Sequence, residues 1–191
     1  MHKWKVFCSI AAMNRFNNRL KYGAIGEAIV KDWLISKGYT AYLAEGNNAH
    51  PFDMLVARDK KAFTIVEVKT QCKSKYKPDI GINYSVYQDY LQAQKQLGMK
   101  VFIVFVDWSQ GCAYGGFIDT LNTPAQHRKR SGDTINYPCK MDHSNKYGDI
   151  FERWYFYQPS MKVLFKLTEQ QIKQLKAGCK TEYNYENQRK K

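Results

Sequence analysis

The chain has 191 residues, of which 44% are hydrophobic and 15% aromatic, which is enough for one substantial core and argues against a disordered chain. Its 30 Lys and Arg against 17 Asp and Glu give a formal net charge of +13, which favours nucleic acid over a membrane surface as partner. The five cysteines form no CxxC pair, so a reducing cytoplasm is expected rather than a disulfide framework. No apolar run has the length of a membrane span, so no membrane partner is expected.

The first half of the chain predicts an α/β core. A helix is expected from Tyr22 to Lys37, because its apolar residues recur at helical spacing and Gly38 follows as a stop. Short runs between turn formers then predict three strands, Thr40–Ala44, Phe52–Ala57 and Ala62–Lys69.

A polar, basic stretch, Thr70–Asn83, is assigned no element. Tyr84–Leu97 then predicts a second helix, closed by Gly98. Lys100–Asp107 is a nearly continuous apolar run, typical of a strand in the middle of a mixed sheet. The order of these elements indicates helices packed on a central sheet.

The second half is less regular. Strands are expected over Gly116–Leu121 and Met161–Leu167, with an aromatic-rich segment at Ile150–Gln158. The polar segment His127–Tyr147 is assigned no element. Thr168, followed three residues later by Gln171, is typical of a helix N-terminus, and that helix is expected to end near Ala177.

One group of charged residues falls on two adjacent predicted strands. Asp53 and Glu67 lie on strands joined by a short turn, so these strands should pair in antiparallel fashion. Glu67 and Lys69 share one face of their strand, while Val66 and Val68 point into the core. One register then brings Asp53, Glu67 and Lys69 together on a polar face. Two carboxylates and the Val68 main-chain carbonyl suit Mg²⁺ or Mn²⁺. A lysine beside the metal can help to lower the pKa of an attacking water and offset the negative charge that develops on the phosphate.

The sequence Phe52-Asp53, followed by Val-Glu-Val-Lys at 66–69, resembles the motif of the PD-(D/E)XK nuclease superfamily. The departure is Phe52, which stands between Pro51 and Asp53. Glu27 adds to the resemblance, because many members carry a further glutamate on an N-terminal helix. The Gly-x-x-Gly-Glu opening of the helix and the run Val-Glu-Val-Lys-Thr resemble two branches, the archaeal-type Holliday junction resolvases and the group I intron-associated endonucleases. The resemblance covers about residues 20–108.

The resemblance implies a restriction-endonuclease-like fold, an α/β mixed central β-sheet flanked by helices, here with a β-rich C-terminal extension. It implies a Mg²⁺-dependent DNA endonuclease, resolvase-like or intron-associated, for which a homodimer is expected by analogy. The candidate catalytic residues are Glu27, Asp53, Glu67 and Lys69. The alternative is a non-catalytic DNA-binding module on the same scaffold. The expected organisation is a packing segment (1–19), the nuclease core (20–108), an extension of the same domain (109–180) and a basic tail (181–191).

Further candidates surround this group. Gln71, His50, Gln88 and Tyr90 are candidates for support of the site. Basic and amide side chains in the loops are candidates for contacts with DNA phosphates, since such contacts position the backbone without reading bases; they are Asn47, Asn48, Lys73, Lys75, Lys77, Arg128, Lys129 and Arg130.

Each of these residues also has a structural interpretation. Charged residues on strands form solvated faces with ordinary ion pairs, and the basic runs are equally typical of exposed surface. A zinc set of Cys112, His127, Cys139 and His143 completes no recognised spacing, so a structural zinc is not expected. The aromatic run Trp154–Tyr157 is expected in the core rather than as a platform for bases.

Overall fold

The structure is a computed structural model that describes residues 22–43, 52–59, 62–71, 79–144 and 150–177. The predicted N-terminal packing segment (1–19) and the basic tail (181–191) lie outside the described residues. The described elements are, in chain order, α1 (22–36), β1 (Thr40–Leu43), β2 (Met54–Ala57), β3 (Thr64–Thr70), β4 (Asp79–Asn83), α2 (Tyr84–Leu97), β5 (Lys100–Asp107), β6 (Cys112–Phe117), α3 (Ile118–Leu121), β7 (Ala125–Arg128), β8 (Thr134–Tyr137), β9 (Cys139–Ser144), β10 (Ile150–Tyr157), β11 (Lys162–Lys166) and α4 (169–177).

A six-stranded mixed sheet with strand order β1-β2-β3-β5-β6-β11 forms the centre of the fold. Among its described strands, β3 and β5 pair in parallel, and the other four neighbouring pairs, β1 with β2, β2 with β3, β5 with β6 and β6 with β11, are antiparallel. Because β3 and β5 are buried on both faces, they consist largely of apolar, mostly β-branched residues.

Helices cover both faces of this sheet. On one face, α1 and α4 pack on Val66 and Val68 of β3 and on Val104 of β5. On the other face, α2 and α3 pack on Ile65 of β3 and Ile103 of β5. The predicted fold class, a mixed central sheet flanked by helices, is therefore confirmed, and the strands after residue 109 confirm the β-rich C-terminal half.

A second, antiparallel sheet has the order β4-β10-β9 and packs against α2. The aromatic run at the end of β10 joins the core, as predicted. Phe156 is fully buried, and the Trp154 ring stacks on Tyr87 of α2 at 4.6 Å. The strands β7 and β8 pair separately as a hairpin.

Several local predictions were wrong. The stretch Thr70–Asn83, assigned no element, contains β4, because its last residues pair with β10 far away in sequence. Gly116–Leu121 is not one strand: β6 ends at Phe117 and a helical turn, α3, follows. The polar segment His127–Tyr147 holds β8 and β9, whose side chains alternate between partly buried and exposed positions.

The helix predicted after Thr168 is confirmed over residues 169–177. The Gln171 main-chain N–H donates to Thr168 Oγ1 at 3.2 Å, and the Thr168 N–H donates to Gln171 Oε1 at 2.9 Å. These reciprocal bonds satisfy two main-chain donors that a helix N-terminus otherwise leaves without partners. Among the described residues, no helix is long and apolar enough to cross a bilayer.

Candidate active site

The candidate site lies where β2 and β3 stop pairing. The last paired residues are Met54 and Val66, and beyond them the Asp53 carboxylate takes the place of the missing strand. The Val68 main-chain N–H donates to Asp53 Oδ2 at 2.7 Å. Because the N–H and C=O of one strand residue point to the same side of the strand, the Val68 carbonyl also faces the side of β3 on which Asp53 lies.

Glu67 is the buried centre of this group, with 3% of its surface exposed. Lys69 Nζ contacts Glu67 Oε1, and the Tyr90 hydroxyl, from α2, also hydrogen-bonds to Glu67. Among the described residues, Glu67 Oε2 is buried without a hydrogen-bond partner. The predicted face is therefore charged but not solvated: α2 covers it, and Glu67 retains an unsatisfied oxygen in a place where burial is costly.

Burial and mutual repulsion shift the ionisation of the carboxylates. The pKa of Asp53 is raised to about 7, first by burial and then by the nearby Glu67 carboxylate, against the Val68 N–H and Lys69, which lower it. The pKa of Glu27 is raised by burial and then by Glu67, while Lys69 opposes the shift. Glu27, Asp53 and Glu67 thus form one acidic group whose charges interact with one another and with Lys69.

A close contact between α1 and β3 places Glu27 beside this group. A Cβ added to Gly26 would lie 1.8 Å from Thr70 Oγ1, so only glycine fits at this position without movement of Thr70. Gly26 immediately precedes Glu27, and Thr70 immediately follows Lys69. The direct contact of helix and strand therefore sets the position of Glu27 relative to the end of β3.

The oxygen donors of the site suit a hard divalent cation. Asp53 and Glu67 supply carboxylates, the Val68 carbonyl faces the same side, and the partnerless Glu67 Oε2 is a buried acceptor in need of a cation. No set of three His, Cys, Asp or Glu side chains within the described ranges converges on one metal position. The candidate ligand set is therefore two carboxylates and a main-chain oxygen, with Glu27 next to it.

The other predicted supporting residues occupy different places. Tyr90 is buried and reaches Glu67, whereas Gln88 is exposed on α2. Gln71 follows the end of β3 and lines a cleft together with Lys69. Arg128, Lys129 and Arg130 are exposed at the end of β7 and in the turn to β8. Six further candidates lie outside the described residues: Asn47, Asn48, His50, Lys73, Lys75 and Lys77.

The four residues considered for zinc lie on three strands, Cys112 on β6, His127 on β7, and Cys139 and His143 on β9. His143 Nε2 hydrogen-bonds to the Tyr155 hydroxyl at 2.8 Å. His127 lies near the Tyr157 ring, at 6.4 Å between centroids. These contacts give both histidines a structural role in the C-terminal half.

Sequence reasoning missed one residue near the site, Arg153. It lies in the middle of β10 and lines the same cleft as Lys69 and Gln71. No local motif marks it, since it stands in an aromatic run 84 positions after Lys69 (153 − 69). Only the pairing of β10 with β4 brings it near the end of β3.

Comparisons with known proteins give limited matches. No protein-family model matches the chain. A UPF0102 protein of Thermodesulfovibrio yellowstonii is 34% identical over 73 residues, which are 37% of this chain and 63% of that protein, so the match spans less than two thirds of the relative. Among solved structures, a Holliday junction resolvase from Archaeoglobus fulgidus superposes with a TM-score of 0.41 and 12% identity, over 58% of this chain and 84% of the resolvase.

Proposed function

We propose that this protein hydrolyses DNA phosphodiester bonds with the help of a divalent metal. The observation that carries the proposal is the buried acidic group at the end of β3, where Asp53 and Glu67 lie beside Lys69 and Glu67 retains an oxygen without a partner. In an arrangement that only stabilised the fold, both oxygens of a buried carboxylate would have hydrogen-bond partners, because a buried acceptor without a partner costs free energy.

The proposed metal is Mg²⁺, with Mn²⁺ as a substitute. Asp53, Glu67 and the Val68 carbonyl would hold it, and Glu27 would assist at the metal or at a water. When bound, such an ion lowers the pKa of a coordinated water and stabilises negative charge on a phosphate oxygen.

Lys69 is the proposed charge-stabilising residue. Its ammonium contacts Glu67 Oε1, so it is held at the edge of the acidic group, and about one third of its side chain is exposed to an incoming substrate. The Tyr90 hydroxyl donates to the same glutamate from α2. Negative charge grows on the phosphate oxygens only as the bond is cut, so an ammonium held there favours the transition state over the bound substrate.

The net charge of +13 favours DNA as the substrate, since each phosphate neutralised by Lys or Arg releases counterions. The resemblance to PD-(D/E)XK nucleases leaves resolvase-like and intron-associated specificities open. We further propose residues 20–108 as the nuclease core, residues 109–180 as its extension, and a cytoplasmic homodimer as the working form, because cutting two strands needs two centres.

The test is cleavage of a DNA panel that contains a linear duplex, a single strand and a four-way junction. We expect cleavage in Mg²⁺ or Mn²⁺ and none in EDTA or Ca²⁺. Asp53→Ala, which removes one proposed ligand, should leave only background cleavage while retaining DNA binding. If the purified protein binds DNA but cuts no member of the panel in either metal, the DNA-binding module is the correct assignment.

A further inference from the structure

We propose that Arg153 and Gln71 form a phosphate-binding subsite next to Lys69, which holds a backbone phosphate neighbouring the one that is cut. The subsite deepens the proposed function and rests on it for the identity of the ligand. It joins the C-terminal half of the chain to the site at the end of β3.

The subsite is a cleft of about 210 Å³ between the two sheets. One wall is the end of β3 with Lys69, Thr70 and Gln71, and the other is β4 with Arg153 reaching over it from β10. Because a water molecule occupies about 30 Å³, the cleft has room for a phosphate group together with its hydration water.

Arg153 is held in place by two contacts. Its Nη2 donates to the Gly81 carbonyl on β4, and its guanidinium lies 5.7 Å from the centre of the Tyr155 ring. Glycine is needed at position 81 for the Tyr155 ring to lie here, because a Cβ at that position would lie 2.7 Å from the ring. Such a fixed guanidinium loses little freedom on binding a ligand, so its remaining donors are ready for an anion.

The cleft has buried hydrogen-bond donors without partners and, in its described lining, no carboxylate. Among the described residues, Arg153 Nε and Gln71 Nε2 are buried with no hydrogen-bond partner, and the described lining includes no Asp or Glu. No carboxylate of the described chain forms an ion pair with Arg153. Buried donors and an unpaired guanidinium both require an acceptor, and a phosphate oxyanion supplies several at once.

The position of the cleft favours a nucleic-acid phosphate over a free anion. Lys69 lines it and also contacts Glu67, so an anion in the cleft lies directly beside the acidic group. A polynucleotide strand presents a continuous row of phosphates, so one strand can place one phosphate in the cleft and a neighbouring phosphate beside the acidic group. A small anion fills the cleft alone and leaves the acidic group without a substrate.

The first experiment compares two arginine variants of the full chain. Arg153→Gln should weaken binding of a duplex in Ca²⁺ by about 5- to 10-fold at moderate salt and reduce the slope of log affinity against log salt by about 1. Arg58→Gln is the matched control, because Arg58 is an exposed arginine after β2, at the opposite end of β3 from Lys69. It should keep both values within about 2-fold.

The second experiment uses the unaltered chain, so it does not depend on how a variant folds. The Arg153 Nε–H signal is followed by ¹⁵N NMR while the duplex in Ca²⁺, or inorganic phosphate alone, is added. We expect the duplex to shift this signal at micromolar concentrations. Inorganic phosphate should shift it only at far higher concentrations, because a single anion brings no neighbouring contacts.

The outcomes separate this inference from the proposed function. If Arg153→Gln matches Arg58→Gln in affinity and salt slope, and the duplex leaves the Nε–H signal unchanged, the subsite is rejected even if the protein cuts DNA. A signal that responds equally to phosphate and duplex also rejects it in favour of a free-anion site. If the duplex shifts the signal and Arg153→Gln binds weakly, the subsite stands even when no cleavage is found.

Discussion

The two ends of β3 hold their neighbours in different ways. At its beginning, Thr64 and Ile65 lie in complete ladders, paired with β2 on one side and with β5 on the other. At its end the ladder with β5 continues to Thr70, but β2 has left, and a side chain, Asp53, binds the main chain in its place. The first end carries no charge and its ladders are complete, whereas the second is charged and, among the described residues, retains a carboxylate oxygen without a partner.

This difference separates stability from chemistry within seven residues of one strand. A regular ladder satisfies every main-chain group and leaves nothing for a ligand, so its contribution is to the free energy of folding. Where the ladder is interrupted, main-chain and side-chain oxygens become available to bind a ligand, and burial perturbs the pKa values of the carboxylates among them. Substitutions at the two ends should therefore affect different measurements.

The largest effect is expected for Glu67→Gln, which removes the central charge while keeping the shape of the side chain. A bound metal contributes several kcal/mol of charge stabilisation, so the cleavage rate in Mg²⁺ should fall by a factor on the order of 10³ or more. The same substitution at Glu152, whose ion pair with Lys140 is largely exposed, is the control and should leave the rate unchanged. Cleavage by Glu67→Gln at a rate near that of the unaltered chain would remove Glu67 from the proposed centre.

Lys69→Ala should slow cleavage by a factor on the order of 10², as does loss of one preorganised donor to a growing charge. Affinity for DNA in Ca²⁺ should change only a few-fold, because one phosphate contact is a small part of the total. Lys100→Ala is the matched control, since Lys100 lies beside Thr64 at the other end of the ladder between β3 and β5. Normal cleavage with poor binding by Lys69→Ala would make Lys69 an ordinary phosphate contact.

Asp53→Asn should stabilise the metal-free protein at neutral and higher pH. The pKa of Asp53 is about 7 in the folded state against an ordinary value of 3.8, so as pH rises the folded chain keeps this proton to a higher pH than the unfolded chain does. Stability in EDTA should therefore fall as pH rises from about 4 to about 7. One pKa unit corresponds to about 1.4 kcal/mol, so a gain of at least that order is expected at pH 8.

Urea unfolding at about pH 5 and pH 8 in EDTA measures this effect. Asp59→Asn, at an exposed carboxylate in the turn after β2, should keep the pH dependence of the unaltered chain. An Asp53→Asn protein with that same pH dependence would show that Asp53 ionises in the folded state as it does in water.

The smallest effect is expected at the regular end. Ile65 is 1% exposed, and Ile65→Val removes one methylene from the hydrophobic core. The free energy of unfolding should fall by about 1 kcal/mol, while the cleavage rate of the folded protein should stay unchanged. A tenfold loss of rate without a loss of stability would show that the two ends of β3 are not independent.

The elements that could be predicted from the sequence are those whose signal is local. The helical spacing in α2, its Gly98 stop and the apolar run of β5 determine these elements with little help from the rest of the chain, and their predicted bounds agree with the structure. The same holds for the start of α4, where Thr168 and Gln171 bind each other across one turn.

Distant pairing explains what was missed. β4 is only five residues long, and its central Gly81 is a poor strand former until the Tyr155 ring packs over it. α3 is a single turn, too short for a periodic pattern, so the chain from Gly116 was predicted as a strand. Arg153 has no neighbour in sequence that marks it, because the cleft it lines is formed by chain segments about 80 residues apart.

For the candidate site, the alternation of Glu67 and Lys69 on one strand placed both side chains together, since that relation is local. The interruption of the ladder at Asp53 was not predictable, because a pattern of residue types does not show where two strands separate. The burial of Glu67 under Tyr90 was equally absent from the sequence, since it depends on how α2 lies on the sheet.

The contact of Gly26 with Thr70 has a mechanical consequence. Between most helices and sheets lies a layer of side chains, and changes in their rotamers accommodate small displacements of the helix. Here the α1 backbone at Gly26 lies directly on the Thr70 side chain, with no side chain of its own between them, so α1 approaches the end of β3 closely beside Glu27 and Lys69. Larger residues at position 26 would act as a spacer and tilt the helix, shifting Glu27 away from the acidic group while the rest of the sheet stayed in place.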